Sequence, residues 1–480
     1  MSNGKNEAVG FLKKFVGFSV ATWVGALLSF IVTPIATRVF DTAELGKINL
    51  FQTYITLLMY VGLLGLQQGY IRFCKEPPKG FQDKSLYKFC TALSLIFTLI
   101  MDIFVIMLWK PISKDISGFE NIIVPICLAA STAAYVVMTL TSTRYRMAQN
   151  IRGYNIQQIG ITFATKISYL LAAIVSPRHD LAIVVMSVCF IAWAIVSLLK
   201  QNDTFGEKVP YREKESIRTI ILYSLPWILV LFVNYLNTSL PKLLIKSMLD
   251  YSSVGIYSSA VSIVSIISLL QAGFNLFWTP YVYENYKQNS DRIQLVHRII
   301  SLLMILFGIC ILLGQDILYM VLGESYRESK CYFGMLLVSP VLYTIGETTG
   351  FGINIAKKSY LNIIVSAATI VSNLIISYFL IPYLGCTGAA LSVMVSSFVM
   401  FVVKTVLGER YYKTVSSKSK TIIGIALFIA ATLVSWKLTE MYLVKYAAFV
   451  LIGACVLLVY MKEVKMGLVL IKELVAKKRQ

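Results

Sequence analysis

The chain has 480 residues, 57% of them hydrophobic and 14% charged, with a mean hydropathy of +0.72. Charge this sparse, set between apolar tracts of about twenty residues, excludes a soluble enzyme and any disordered or collagen-like class. The formal net charge of +20 would point to nucleic acid in a soluble chain, but here each cation must first be assigned a side of the membrane.

Apolar tracts begin near Phe15, Ile48, Phe89, Asn121, Tyr154, Leu181, Thr219, Ser252, Ile299, Cys331, Ser359, Gly388, Thr421 and Tyr446. At roughly 20 residues for each crossing of ~30 Å of hydrocarbon, they predict an all-α polytopic membrane protein of about fourteen transmembrane helices. The first tract has no small-residue cleavage site and reads as a retained helix rather than a signal peptide. Residues 359–403 carry no charge and are too long for one span, so the breaker Pro382-Tyr-Leu-Gly385-Cys-Thr-Gly388 predicts a helical hairpin.

An even number of spans puts both termini on one side, and Lys and Arg favour that side by roughly three to one, which predicts cytoplasmic termini. The excess charge then reflects topology and attraction to anionic membrane lipid, with no nucleic-acid partner. No loop is long enough for a folded soluble domain. Cys90, Cys127, Cys189, Cys310 and Cys455 stand alone in apolar tracts and read as small hydrophobes. With only two His, no CxxC pair and no Walker-type loop, no metal, cofactor or ATP hydrolysis is expected.

An internal repeat stands out. Pro34, Arg38, Asp41 and Gly46 near the end of the first tract find counterparts in Pro241, Lys246, Asp250 and Gly255 near the end of the seventh. Each copy places a cation shortly before an Asp and a Gly five residues after it. Six spans lie between the copies, so both enter the membrane in one direction, as in transporters built from parallel lobes with the site between them.

Polar stripes at helical spacing need protein or water to face. Asn49, Thr53, Thr56, Tyr60 and Gln67 form one on the second tract; Asn155, Gln158, Thr162, Lys166 and Tyr169 form another on the fifth. The seventh tract adds Asn234, Thr238 and Lys242. Small hydroxyls also serve helix packing, but Lys166 has no such use. At mid-depth a cation costs at least ~2.5–3.5 kcal/mol unless it lines a wet cavity or meets an anion. Arg38, Arg72, Arg146, Lys242 and Lys246 lie nearer the interfaces, as further cavity cations or as snorkelling ones. Asp102 and Glu347 are candidates for binding a coupling proton or sodium ion, or for pairing with cations. A cavity edged by cations implies an anionic, phosphate-bearing substrate.

The run Phe30-Ile-Val-Thr-Pro-Ile-Ala-Thr-Arg38-Val-Phe, with Glu44-Leu-Gly46 and Gly65-Leu-Gln-Gln-Gly-Tyr-Ile-Arg72-Phe, resembles the opening of Wzx-type polysaccharide flippases of the multidrug/oligosaccharidyl-lipid/polysaccharide exporter superfamily. Tyr223-Ser-Leu-Pro226, Val254-Gly-Ile-Tyr-Ser258, Trp278-Thr-Pro280 and Ile381-Pro-Tyr-Leu-Gly385 extend the likeness along the chain. The resemblance implies two pseudo-symmetric six-helix lobes around a central cavity, with two more helices at the C-terminus. The expected domains are residues 1–200, a cytoplasmic linker at 201–217, a second lobe at 218–415, and the last two helices with a basic tail at 416–480.

It also implies transfer of an undecaprenyl-pyrophosphate-linked oligosaccharide across a bacterial inner membrane by alternating access. Lys166, Arg38, Arg72, Arg146, Lys242 and Lys246 are the candidate cationic cavity, and Gln158, Thr162, Tyr169, Tyr60 and Asn234 the candidate sugar contacts. Besides substrate and membrane lipid, the polysaccharide polymerase machinery and H+ or Na+ are candidate partners. A MATE-like ion-coupled exporter and a lipid II flippase are the rival readings; the exporter would favour an acidic cavity.

Overall fold

The computed structural model describes residues 20, 23–25, 27–201, 214–267, 270, 271, 274, 278, 281–283, 285–356, 358 and 360–466. Nearly all of these are helical and none is in a strand, so the protein is all-α. Eight helices among them are long and apolar enough to cross a membrane, or nine if one bent pair counts as a single span. Three of the expected tracts are missed by that count for local reasons. The first tract contributes Trp23–Val39, which is short; the fifth is interrupted; and Leu361–Glu409 is counted once although it holds two helices.

Contacts divide the chain into two compact units, Met1–Ser259 and Ala260–Gln480. The first contains α1 (Trp23–Val39), α2 (Thr42–Gly62), α3 (Leu66–Phe73), α4 (Asp83–Met107), α5 (Trp109–Ser117) and α6 (Ile123–Met147). After these come α7 (Ile151–Thr162), a π-helical turn (Phe163–Ile167), α8 (Ser168–Ala172), α9 (His179–Leu199) and α10 (Lys214–Met248). α11 (Tyr251–Val264) begins in this unit. Most hydroxyls along the spans return to their own helix: Ser29, Thr33, Thr53 and Thr56 each donate to the carbonyl four residues back at 2.8–2.9 Å, which removes the cost of a bare hydroxyl in hydrocarbon.

The two glycines of the repeat meet. A Cβ on Gly46 would fall 1.8 Å from the Tyr251 carbonyl oxygen, and one on Gly255 would fall 2.1 Å from that of Thr42. Thr42 and Tyr251 each stand four residues before their own glycine, so the starts of α2 and α11 cross in the same register from either side. Thr42 Oγ1 and Ser252 Oγ lie 2.5 Å apart beside the crossing. Lys246 pairs with Asp115, which also accepts from the Tyr54 hydroxyl. The Tyr251 hydroxyl donates to the Lys114 carbonyl at 2.9 Å. Near the same end of α2, Glu44 accepts from His179 at 2.7 Å and pairs with Lys47 at 3.5 Å.

The second unit holds α12 (Ser290–Leu313), α13 (Gln315–Met320), α14 (Lys330–Thr349), α15 (Phe351–Ile355), α16 (Leu361–Glu409), α17 (Lys418–Lys437) and α18 (Tyr442–Val459). Within α16, Gly385 takes φ 55° and ψ −136°, a conformation essentially closed to residues with a Cβ. The uncharged stretch is therefore two helices broken at the expected place. α17 and α18 are tied to the rest of the unit by polar groups. Buried His297 bridges Thr348 at 2.7 Å and Thr421 at 3.0 Å. Glu463 receives Lys420 at 2.9 Å and Arg298 at 3.1 Å.

Asp316, between spans, receives Lys330, the Tyr446 hydroxyl, and Lys445 at 3.5 Å. Burial alone would raise its pKa, but the hydrogen bonds from Lys330 and Tyr446 and the charges of Lys330 and Lys445 outweigh burial and hold the carboxyl below the usual range. A carboxylate with a depressed folded pKa adds stability above its unfolded pKa and loses it as pH falls through the folded one. Because the Lys445 side chain is fully buried, Asp316→Ala should destabilise the protein by about 3 kcal/mol, the lower part of the range for an orphaned buried charge. Thermal unfolding in detergent at neutral pH measures it. Adding Lys445→Met should recover most of the loss, and an unchanged midpoint in Asp316→Ala would show that the cluster carries no net stability.

Candidate functional site

A cavity of about 300 Å³ lies inside the first unit, walled by α2, α6, the π turn, α9 and α10. α2 presents Asn49, Gln52, Thr53, Thr56 and Tyr60 to it, the one-face spacing of a helix. Tyr135 comes from α6, Thr165 and Lys166 from the π turn, Phe190 from α9, and Tyr235 and Lys242 from α10. A second cavity of about 230 Å³ shares Tyr60 and Tyr135 and adds Gln67, Thr139, Ser142, Arg146, Tyr154 and Gln158. The two cavities adjoin at the shared tyrosines, with Lys166 and Lys242 on one and Arg146 on the other.

The charge balance is one-sided. Among the described residues, no carboxylate lines either compartment. Among the described residues, neither Lys166 nor Lys242 has a hydrogen bond or ion pair. Lys166 lines the cavity at a depth where hydrocarbon would make a bare ammonium costly. Two like charges around one cavity form a receptor for an anion. The rest of the wall offers amides, hydroxyls and tyrosine faces; the Tyr60 and Tyr235 rings lie 5.4 Å apart, and Gln158 Nε2 donates to Ser142 Oγ at 2.8 Å.

The side chains of the fifth tract have different surroundings on either side of the π turn. Gln158 lines the second compartment and Thr165 and Lys166 the first. Thr162 instead faces α1, where a Cβ on Gly25 would lie 3.2 Å from its Oγ1. Tyr169 is buried with its ring 5.9 Å from that of Phe40. A cysteine at position 158 or 165 should therefore react with a water-soluble maleimide, and one at 162 should not. Equal labelling at 162 and 165 would remove this assignment.

The other candidates lie elsewhere. Arg38 is exposed at the end of α1. Arg72 is exposed and pairs with Glu76 at 3.4 Å. Lys246 is engaged by Asp115. Asp102 is buried in α4 with Oδ1 lacking a hydrogen bond, and Glu347 in the second unit receives Lys404 at 2.5 Å. The Asn234 side chain lies outside the described residues. Gln52, Tyr135, Thr165 and Tyr235 line the first cavity without having stood out in the sequence. Gln52 and Thr165 fall just off the polar stripes, and Tyr135 and Tyr235 sit singly in mid-span, where an aromatic ring reads as packing.

Comparison with known proteins places this geometry. A Lsg locus protein of Haemophilus influenzae is 22% identical over 397 residues, covering 78% of this chain and 94% of its own. The capsular polysaccharide biosynthesis protein CapF of Staphylococcus aureus is 21% identical, covering 82% and 97%. Among solved structures, the lipid II flippase MurJ in an inward closed conformation matches with a TM-score of 0.69 at 14% identity, over 94% of this chain and 99% of that one. A MATE family transporter of the MOP superfamily matches at 0.55 and 14% identity, over 83% and 97%. The fold is thus that of membrane transporters and flippases rather than of enzymes. The family model described as polysaccharide biosynthesis protein matches residues 11–286, more than half of the chain, and the protein belongs to that family.

Proposed function

We propose that this multi-pass protein translocates an undecaprenyl-pyrophosphate-linked oligosaccharide from the cytoplasmic to the outer leaflet of a bacterial inner membrane, with both termini cytoplasmic. The observation that carries the reading is the cavity that Lys166 and Lys242 both line, with no carboxylate among the described residues of its wall. A pyrophosphate satisfies that charge. Amides, hydroxyls and tyrosines replace the water that sugar hydroxyls would lose in bare hydrocarbon, where each unpaired group costs roughly 2–7 kcal/mol. The prenyl chain needs no such path and stays in lipid.

The capsular role in CapF's name and the lipid II flippase activity in MurJ's support the same class of cargo. An acid-free cavity argues against a cation-exporting alternative. In the proposed cycle, the cavity opens to one side of the membrane and then to the other, and the crossing of α2 with α11 is the candidate outer closure. Asp102, buried with an unpaired oxygen, is the better coupling candidate of the two acids, since Glu347 is neutralised by Lys404.

The test uses proteoliposomes with lipid-linked oligosaccharide confined to one leaflet and an impermeant glycosidase on the other side. Protein-dependent cleavage is expected. Its absence with every glycan tried, with and without proton or sodium gradients, would overturn the proposal, and exposure of lipid II alone would transfer it to the peptidoglycan precursor.

A further inference from the structure

A separate cavity of about 210 Å³ lies between the start of α7 and the last turns of α9. Its lining combines Arg152, Lys200, Tyr145 and Asn150 with the apolar faces of Ile156 and Trp193, and includes no carboxylate. Among the described residues, neither Arg152 nor Lys200 has a hydrogen bond or ion pair. Two buried polar side chains of the lining are satisfied without them: Ser197 Oγ donates to Gln157 Oε1 at 3.0 Å, and Gln157 Nε2 donates to the Met138 carbonyl at 3.1 Å, whereas the buried Trp193 indole N–H has no partner.

The surfaces that run away from this cavity are apolar and unpartnered. On α7, Arg152, Ile156 and Ile159 share one exposed face. On α9, Val188, Ile195 and Leu199 are exposed, and Lys200 follows directly. Each stripe therefore ends in a cation, and both cations line one cavity. Cations at span ends ordinarily reflect topology alone, but that accounts neither for their convergence nor for the missing acid. The transport path uses a different face of α7, through Tyr154 and Gln158.

We propose that this cavity binds the phosphate of a membrane lipid, with Arg152 and Lys200 holding the phosphate oxygens and the lipid chains lying on the stripes of α7 and α9. Guanidinium recognises phosphate through paired N–H groups, and charge complementarity selects an anionic lipid over a zwitterionic one. The site does not depend on what the central path carries.

The test is made on the full chain in a Lys166→Ala/Lys242→Ala/Arg146→Gln background, which removes the three cations that line the transport path. Protein in phosphatidylcholine nanodiscs is given phosphatidylglycerol, a polyprenyl phosphate or inorganic phosphate, and retained molecules are counted by native mass spectrometry. Retention of an anionic lipid is expected, falling at least tenfold in Arg152→Gln/Lys200→Gln and less in Arg152→Lys. Retention of phosphatidylglycerol identifies a bulk phospholipid as the occupant, and retention of polyprenyl phosphate alone identifies the carrier of a glycolipid; either supports the site. Binding of inorganic phosphate without lipid, or equal lipid retention with and without the two cations, overturns it. Lys200→Gln alone, at an exposed position, should cost at least threefold and keeps the test available if the double variant does not fold.

Discussion

Lys166→Ala should lower translocation of lipid-linked oligosaccharide by about ten- to a hundredfold while leaving membrane insertion unchanged. A hydrogen bond to a charged group contributes about 1.5–3 kcal/mol, and here the partner is an anion held away from bulk water. Lys166→Arg keeps the charge and should retain most of the activity, whereas Lys166→Gln keeps only a neutral donor and should behave like Ala. Lys242→Ala should show a similar but smaller defect, because Lys242 faces the same cavity. Residues that hold one ligand together are not additive, so the double variant should fall short of the product of the single effects. Initial rates in the glycosidase assay decide it. Rates within twofold of wild type for Lys166→Ala would remove that cation from the transport path and leave the cavity without its defining charge.

The second large effect concerns the crossing of α2 and α11. Thr42→Cys/Ser252→Cys should form a disulfide readily, since the two hydroxyl oxygens already lie 2.5 Å apart and a disulfide spans about 2.05 Å. If the crossing must open for cargo to leave, oxidation should stop transport and a reductant should restore it. The eight native cysteines are free and must be replaced first. Gly46→Ala tests the same contact from the other direction. Elsewhere in a helix the change would gain up to about 1 kcal/mol. At Gly46 the new methyl would meet the Tyr251 carbonyl oxygen at 1.8 Å, and forcing the helices apart should cost about 1–3 kcal/mol. Greater reactivity of Ser252→Cys toward an impermeant thiol reagent in the Gly46→Ala background would report the opening. Full transport in the oxidised protein would mean that this crossing stays closed throughout the cycle.

The amino-acid sequence by itself determined the solvent of this protein and much of its punctuation. Apolar length dictates helices because lipid offers the backbone no other partner, and the uncharged stretch around Gly385 divides where glycine alone tolerates the turn. The stripe from Asn49 to Tyr60 was legible because α2 runs unbroken over it and keeps its period. The repeated glycines were legible as well, as a recurrence in the chain. That they touch was not, since a repeat says nothing about which surfaces close on each other.

Tertiary structure decided the rest. In the fifth tract, interrupted by the π turn at Phe163–Ile167, Thr162 faces α1 and Tyr169 packs against Phe40 while Thr165 and Lys166 line the cavity, a sorting with no mark in composition. Packing also sorted the cations. Lys246 met Asp115, Arg72 met Glu76, and Lys166 and Lys242 were left facing one space without an acid. A charge in a sequence has a sign and a depth, but its role depends on which partner the fold brings within a few ångströms. That is set by contacts between helices distant in the chain.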